Sequence, residues 1–424
     1  MDIFVARQPI FDARRRVVGY ELLYRDGSGA TEAGEYDPTR MSSQVIVDAV
    51  LGLGLMSLAS GRSVFLNFNR EMLLSGVADV LDPDRVVIEV LETVEPDEEV
   101  VAACRALTER GFTLALDDFV YTPAWEPLLE LAGVVKIDVL SAGEHLDELV
   151  ERVRPFGVEL LAEKVETAAV HRRCRELGFD YFQGFYYFRP ETVRGKDLSA
   201  QTVAVIRLLN LIRDPRATEA TILEAFRSDP GLSYKLLRMV NSAALGGRGV
   251  ASLGHALRLL GRDPLYRWLS LLLISGRDVR SGERQELLRS AVLRGRMCEL
   301  LGDVLRRGSR SRDVPQPDAL FLVGLFSQLD VLLSVPMDDV LSQIHLAQDL
   351  RDALLARAGE AGVLLAAVEA YQRAEWQTAR RLLDEVGVDA DVLPDLYVDA
   401  LAWAGNRLAL YTEEEDDDAA VRSA

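Results

Sequence analysis

The chain has 424 residues, 49% apolar and 27% charged, enough for two or three domains with cores of their own and unlike a disordered or disulfide-stapled chain. With 48 basic against 67 acidic residues the net charge is −19, which disfavours nucleic-acid binding in the absence of a locally basic patch. Cys104, Cys174 and Cys298 show no paired spacing, and no signal core or bilayer-length apolar run is visible, so a cytoplasmic chain without disulfides, structural zinc or a membrane span is expected.

From residue 1 to about 190, short β-rich runs alternate with helix-like segments. The runs are VVGYELLYR, SVFLNF, RVVIEVLE, FTLALDDF, VVKIDV, VELLAEKVE and FDYFQGFYY; the helical stretches include Ser42 to Met56, Glu98 to Arg110 and Leu146 to Val153. Repeated βα units predict a largely parallel sheet, either an open doubly wound sheet or a closed barrel. The polar segment from Arg189 to Ala200 reads as a linker. Beyond it, Gln201 to Thr412 is helical in period, broken at Asp214-Pro215, Asp229-Pro230, Gly246-Gly247 and the loop from Gly308 to Pro317. The apolar stripe around Trp268 is expected to be core, and Arg306, Arg307, Arg310 and Arg312 a solvated loop. Six acids, Glu413 to Asp418, predict a solvated tail. The organisation is thus α/β followed by all-α: residues 1–192, residues 193–412 and an acidic disordered tail over 413–424.

In βα architectures chemistry collects where strands end. Glu21, Asn67, Glu89 with Glu92, Asp117 with Asp118, Lys136, Glu163 with Glu166, and Gln183 all fall in or at the ends of these runs. From Asn67 onward the separations are 22, 28, 19, 27 and 20 residues, each the length of one compact βα unit. Seven carboxylates converging on one mouth cannot all stay ionised without cations. Hard oxygen donors and no histidine cluster point to Mg²⁺ or Mn²⁺, and two such ions suit phosphodiester hydrolysis.

These residues resemble the EAL domain, a TIM-like barrel whose active members hydrolyse cyclic di-GMP. ELLYR carries the signature glutamate, Glu21, with Leu22 where the family usually has Ala. The resemblance implies metal ligands at Glu21, Asn67, Glu89, Asp117, Asp118 and Glu166, a water-orienting Lys136, a general base at Glu163, and substrate contacts from Arg25, Glu92 and Gln183. Two positions depart from active members. Val120 begins VYT where a Gly-Thr-Gly loop is usual, and Lys164 replaces a glycine between Glu163 and Glu166, placing a cation that could compete with metal for the carboxylates.

The second half resembles an HDOD domain through SDPGLSYKLLRMVNSAALG (Ser228 to Gly246), HALRLLG (His255 to Gly261) and FLVGLFSQLD (Phe321 to Asp330). Phe326-Ser327 stands where the related hydrolases place a metal-binding His-Asp pair. None of the four histidines, His145, His171, His255 and His345, is followed by Asp, so this half is expected to be noncatalytic. Together with RQPIFD (Arg7 to Asp12), the order resembles the composite EAL-HDOD signalling family of bacterial cyclic di-GMP pathways. That resemblance implies a protein partner for the helical half and leaves room for a homodimer. The complete polar set predicts a phosphodiesterase yielding linear pGpG; Val120 and Lys164 predict instead a silent cyclic di-GMP receptor or a protein-interaction scaffold.

Overall fold

A computed structural model describes residues 3–26, 59, 61–184, 198–241, 252–275, 282–308 and 315–405. The helix expected over Ser42 to Met56, Gly246-Gly247, Arg310, Arg312 and the acidic tail lie outside the described residues.

Eight strands close into a barrel in chain order: β1 (Ile3–Asp12), β2 (Val17–Asp26), β3 (Ser63–Phe68), β4 (Val86–Val90), β5 (Thr113–Leu116), β6 (Val134–Asp138), β7 (Glu159–Glu163) and β8 (Tyr181–Phe182). Of the two sheets that the βα pattern alone leaves open, the closed barrel implied by the resemblance is the one formed. Strands β2 to β8 are parallel, whereas β1 runs antiparallel to both β2 and β8. The seven β-rich runs omit β1, whose Arg7, Gln8 and Pro9 interrupt any apolar alternation. Among the described residues β8 pairs with β1 at Phe11 and Asp12 and Pro9 pairs with Tyr20 of β2, a position near a strand end where the missing N–H of proline is tolerated.

Helices pack outside the barrel, among them α1 (Glu98–Glu109), α2 (Leu146–Val153) and α3 (Ala168–Glu176). Asp97 Oδ1 accepts from Val100 N at 2.9 Å and starts α1; Thr167 Oγ1 does the same for α3 from Val170 N at 3.2 Å. All five residues of β6 are buried, as expected for a strand covered on both faces.

The second half is helical: α4 (Ala200–Arg213), α5 (Glu219–Arg227), α6 (Pro230–Asn241), α7 (Leu253–Leu260), α8 (Arg262–Ser275), the long α9 (Gly282–Gly308), α10 (Pro317–Phe326), α11 (Gln348–Ala356), α12 (Gly359–Gln372) and α13 (Trp376–Glu385), then a helix over 393–405. Trp268 is core, 5% exposed and stacked on Phe226 at 6.5 Å between ring centroids.

The two halves share one continuous apolar core. At the β1–β2 turn Glu283 N donates to Arg15 O at 2.9 Å, and a Cβ on Gly282 would stand 2.7 Å from Arg16 Cα, so only glycine lets α9 begin this close to the barrel. Tyr371 of α12 donates to Val5 O at 3.0 Å. Tyr20 of β2 donates to Glu286 Oε2 at 2.6 Å, Arg289 donates to the Tyr20 oxygen at 3.1 Å, and the Arg7 guanidinium lies over the Tyr20 ring at 4.3 Å.

Candidate functional site

Parallel strands bring their C-terminal ends to one rim, and the polar residues sit there. Glu21 lies in β2, Asn67 in β3, Glu89 in β4, Lys136 in β6 and Glu163 at the end of β7. Asp117 and Asp118 follow β5, and Gln183 follows β8. Register places Asn67 beside Glu89, and Asp138 beside Glu163.

Lys136 is fully buried at the centre. Its Nζ stands 2.6 Å from Asp117 Oδ1, 2.8 Å from Glu89 Oε1, 3.1 Å from Glu163 Oε1 and 3.3 Å from Glu21 Oε2. Glu21 is further held by hydrogen bonds from Gln183 Nε2 to Oε2 at 2.7 Å and from Asn67 Nδ2 to Oε1 at 3.2 Å.

One ammonium faces four carboxylates, and the electrostatics follow from that imbalance. Burial works against the Lys136 charge, but the four carboxylates outweigh it and hold its pKa well above the ordinary lysine value. For Glu21 burial is likewise outweighed, by Lys136 and the two amide donors, so its pKa lies below the ordinary value. Glu89 and Glu163 go the other way. Burial, assisted by neighbouring acids, lifts both well above the usual carboxylate range, and Asp117 is raised for the same reason.

Five oxygens of the cluster are buried and have neither a hydrogen bond nor the Lys136 ammonium as partner: Asn67 Oδ1, Glu89 Oε2, Asp118 Oδ1, Glu163 Oε2 and Gln183 Oε1. Unmet acceptors beside excess negative charge fit a hard divalent cation. With Lys136 between the carboxylates, however, no three His, Cys, Asp or Glu side chains among the described residues stand in a preformed metal-binding group. The donor set fits such ions; the side-chain arrangement is organised around the ammonium.

Glu92 is exposed in the loop after β4, and Glu166 is half-buried beside a cavity that also touches the helical half. Arg25 belongs to β2, but its side chain lies outside the described residues. The Lys164 ammonium bonds to Asp138 and not to the groups around Lys136, but it lies near enough to Asp118 and Glu163 for both carboxylates to help hold its pKa above the ordinary lysine value. Its Nζ donates to Asp138 Oδ2 at 2.6 Å and its side chain is 55% exposed. Asp138 is fixed there because its other oxygen accepts from Leu140 N and Ser141 N at the start of the next helix. The backbone at Lys164 is left-handed, φ 55°, a conformation that suits glycine. Val120 is 73% exposed and outside the left-handed region, so its loop follows a course that needs no glycine.

Gln8 is a member of the site that the sequence reading missed. It pairs with Glu21 in register and its Oε1 accepts from Gln183 Nε2 at 2.8 Å. Recognising RQPIFD as a strand would have put Gln8 on the same face as Glu21.

In the helical half Phe326 is wholly buried, and Ser327 Oγ donates to Gly324 O at 2.7 Å while accepting from Arg294 at 2.9 Å. No group of three His, Cys, Asp or Glu side chains that could hold a metal occurs among the described residues.

The HDOD domain model matches residues 198–386. Cyclic di-GMP phosphodiesterase CdgJ of Vibrio cholerae serotype O1 is 33% identical over 409 residues, 95% of this chain and 92% of that protein. The uncharacterized protein YuxH of Bacillus subtilis is 30% identical over 416 residues, 96% and 99% of the two chains. Among solved structures, the PaMucR phosphodiesterase in complex with c-di-GMP aligns at a TM-score of 0.34 and 20% identity, over 43% of this chain and 90% of that one. Similarity that runs from the eight-stranded barrel through the HDOD helices, over nearly all of both curated relatives, makes the chain a member of the EAL-HDOD composite signalling family.

Proposed function

We propose that the barrel mouth binds cyclic di-GMP and, with Mg²⁺ or Mn²⁺, cleaves one phosphodiester to give linear pGpG in the cytoplasm, the HDOD half serving as a noncatalytic module that contacts a protein partner. The observation that carries this reading is the cluster around Lys136: four carboxylates on one ammonium, with buried acceptor oxygens left unmet beside it. Identity of 33% to a cyclic di-GMP phosphodiesterase supports the choice of nucleotide.

Glu21, Asn67, Glu89, Asp117, Asp118 and Glu166 would hold the metal. A bound divalent pair would supply charge for the phosphate oxygens and a more acidic water. The protein's own groups do the rest. Glu163, with one oxygen unpartnered, takes the proton of the attacking water; Lys136 stays protonated, orients that water and offsets charge on the phosphate. The water oxygen forms the new P–O bond as the bond to the 3′ oxygen breaks, the leaving oxygen takes a proton from solvent water, and Glu163 returns its proton to solvent. Gln183 keeps Glu21 oriented, and Arg25 and Glu92 would contact the nucleotide.

Calorimetric titration of the full chain with cyclic di-GMP in Ca²⁺, then product analysis in Mg²⁺ or Mn²⁺, tests this. Binding with conversion to pGpG, abolished in Glu21→Ala, is the expected result; an intact nucleotide in both metals overturns the enzyme reading. A silent receptor is the second reading, favoured by the ammonium seated among the carboxylates and by the VYT loop at Val120. It predicts binding without conversion.

A further inference from the structure

A cavity of about 550 Å³ lies between the barrel and the helical half. Gln8, Leu23 and Glu166 line it from the barrel; Arg294, Gln328 and Arg373 line it from the helices. Arg7 and Pro9 complete the barrel side, and the residues in contact with Lys136 are not part of this lining; Gln8 is the link to the carboxylate cluster. Gln183 Nε2 donates both to Gln8 Oε1 at 2.8 Å and to Glu21 Oε2 at 2.7 Å, so Gln8 is one shared donor away from the cluster. Leu23 follows Glu21 by two residues in β2, which puts it on the same face one step nearer the mouth. The volume falls within the roughly 300–1,000 Å³ of small-molecule sites.

The helical wall has its own chemistry. Arg294 is fixed by Ser327 Oγ at 2.9 Å, Gln372 Oε1 at 2.9 Å and Glu369 Oε1 at 3.0 Å. Arg373 donates to both oxygens of Glu375, at 2.8 and 3.1 Å, on side chains 37% and 45% exposed, so a phosphate held in place by the rest of the nucleotide competes with Glu375 for this guanidinium. Gln328 is 4% exposed and its Oε1 accepts no hydrogen bond, so a ligand bringing an N–H donor would satisfy it. Because each guanidinium already has an acidic neighbour, this wall does not concentrate free anions. It rewards a ligand anchored elsewhere that offers phosphate oxygens and a base N–H together.

The geometry points to a composite nucleotide site: the helical half forms the far wall of the mouth, and Arg373 and Gln328 bind the part of the nucleotide that extends beyond the carboxylate cluster. This rests on the reading of the mouth as a cyclic di-GMP site. It makes the HDOD helices part of ligand recognition as well as a surface for partners.

The test titrates the full chain, Arg373→Ala and Gln328→Leu with cyclic di-GMP in Ca²⁺, and maps amide hydrogen exchange of the unmodified chain with and without the nucleotide. Each variant is expected to raise Kd by about tenfold, and the nucleotide to slow exchange over 327–333 and 369–375 as well as in the barrel. Wild-type affinity in both variants, or protection confined to the barrel, overturns the composite site and leaves the cyclic di-GMP reading standing. Failure of the unmodified chain to bind the nucleotide overturns both. The exchange measurement decides the matter even if a variant fails to fold.

Discussion

The Tyr20 hydroxyl donates to Glu286 Oε2 at 2.6 Å, tying β2 of the barrel to α9 of the helical half across 266 positions of sequence. Tyr20 and Glu21 are consecutive in a strand, so one side chain faces the docked helix and the next faces the carboxylate cluster. Arg7 and Gln8 divide in the same way on β1, with Arg7 3.7 Å from Glu286 and Gln8 bonded to Gln183. Two dipeptides thus join one of the contacts between the halves to one side of the site.

Tyr20→Phe removes the donor but leaves Glu286 with Arg7 and Arg289, so a loss of about 1.5 kcal/mol is expected, the low end for a hydrogen bond to a charged group. In a double-mutant cycle with Glu286→Gln, denaturant unfolding should give a coupling above about 0.5 kcal/mol. Additive effects would show that the two groups act separately.

Gly282→Ala tests how closely α9 must approach. The added Cβ meets backbone atoms of Arg16, Val17 and Arg15 at 2.7 to 3.0 Å, and backbone cannot move as a flexible side chain can. A cost of about 1–3 kcal/mol is expected, as for overpacking in a core. An unchanged midpoint in urea would mean that the β1–β2 turn yields easily.

Lys136→Met leaves Glu21, Glu89, Asp117 and Glu163 facing one another without their shared cation. Breaking a buried charge pair from one side costs about 3–5 kcal/mol. The variant should therefore melt well below the parent in chelator, and Mn²⁺ should raise its melting temperature more than it raises the parent's. Equal metal responses would show that the ammonium does not compete for these carboxylates.

Lys164→Gly sets two small effects against each other. Glycine relieves the left-handed backbone at φ 55°, while a half-exposed ion pair to Asp138 is lost; the net change should stay within about 1 kcal/mol. The sign with pH is fixed. Burial raises the Asp138 pKa, but the hydrogen bonds from Lys164 and Ser141 outweigh it, so the folded value lies below the unfolded one. Its contribution is present above the ordinary Asp pKa of about 4 and is lost as pH falls through the depressed value. Melting curves from neutral to acid pH should show the parent losing more of this contribution than Lys164→Gly. Parallel curves would remove Lys164 as the cause.

Much of the mouth was legible because a parallel barrel leaves few places for charge. Glu89 in IEV and Lys136 in VKID interrupt apolar runs that are buried on both sides, and such residues have nowhere to point but inward. What stayed hidden depended on contacts distant in sequence. Gln8 is revealed only by the pairing of β1 with β2, and Pro9 masks that strand. The turn of Lys164 toward Asp138 depends on the register of β6 and β7 and on a left-handed backbone that a lysine does not announce. The cavity is made from residues as far apart as Gln8 and Arg373, which no local pattern joins.

Glu21→Gln separates orientation from charge at the mouth. The amide keeps the size of the side chain but puts a donor where Gln183 Nε2 or Asn67 Nδ2 now donates, and it removes one of the four charges facing Lys136. If Glu21 is a metal ligand, the variant should lose at least about a hundredfold in pGpG formation, on the scale of removing one electrostatic catalytic group. Its melting temperature should at the same time respond less to Mn²⁺. If Glu21 only neutralises Lys136, the variant would be destabilised in chelator and keep the parent's response to Mn²⁺. Following turnover and melting on the same samples distinguishes these outcomes, because only a ligand to metal moves both together.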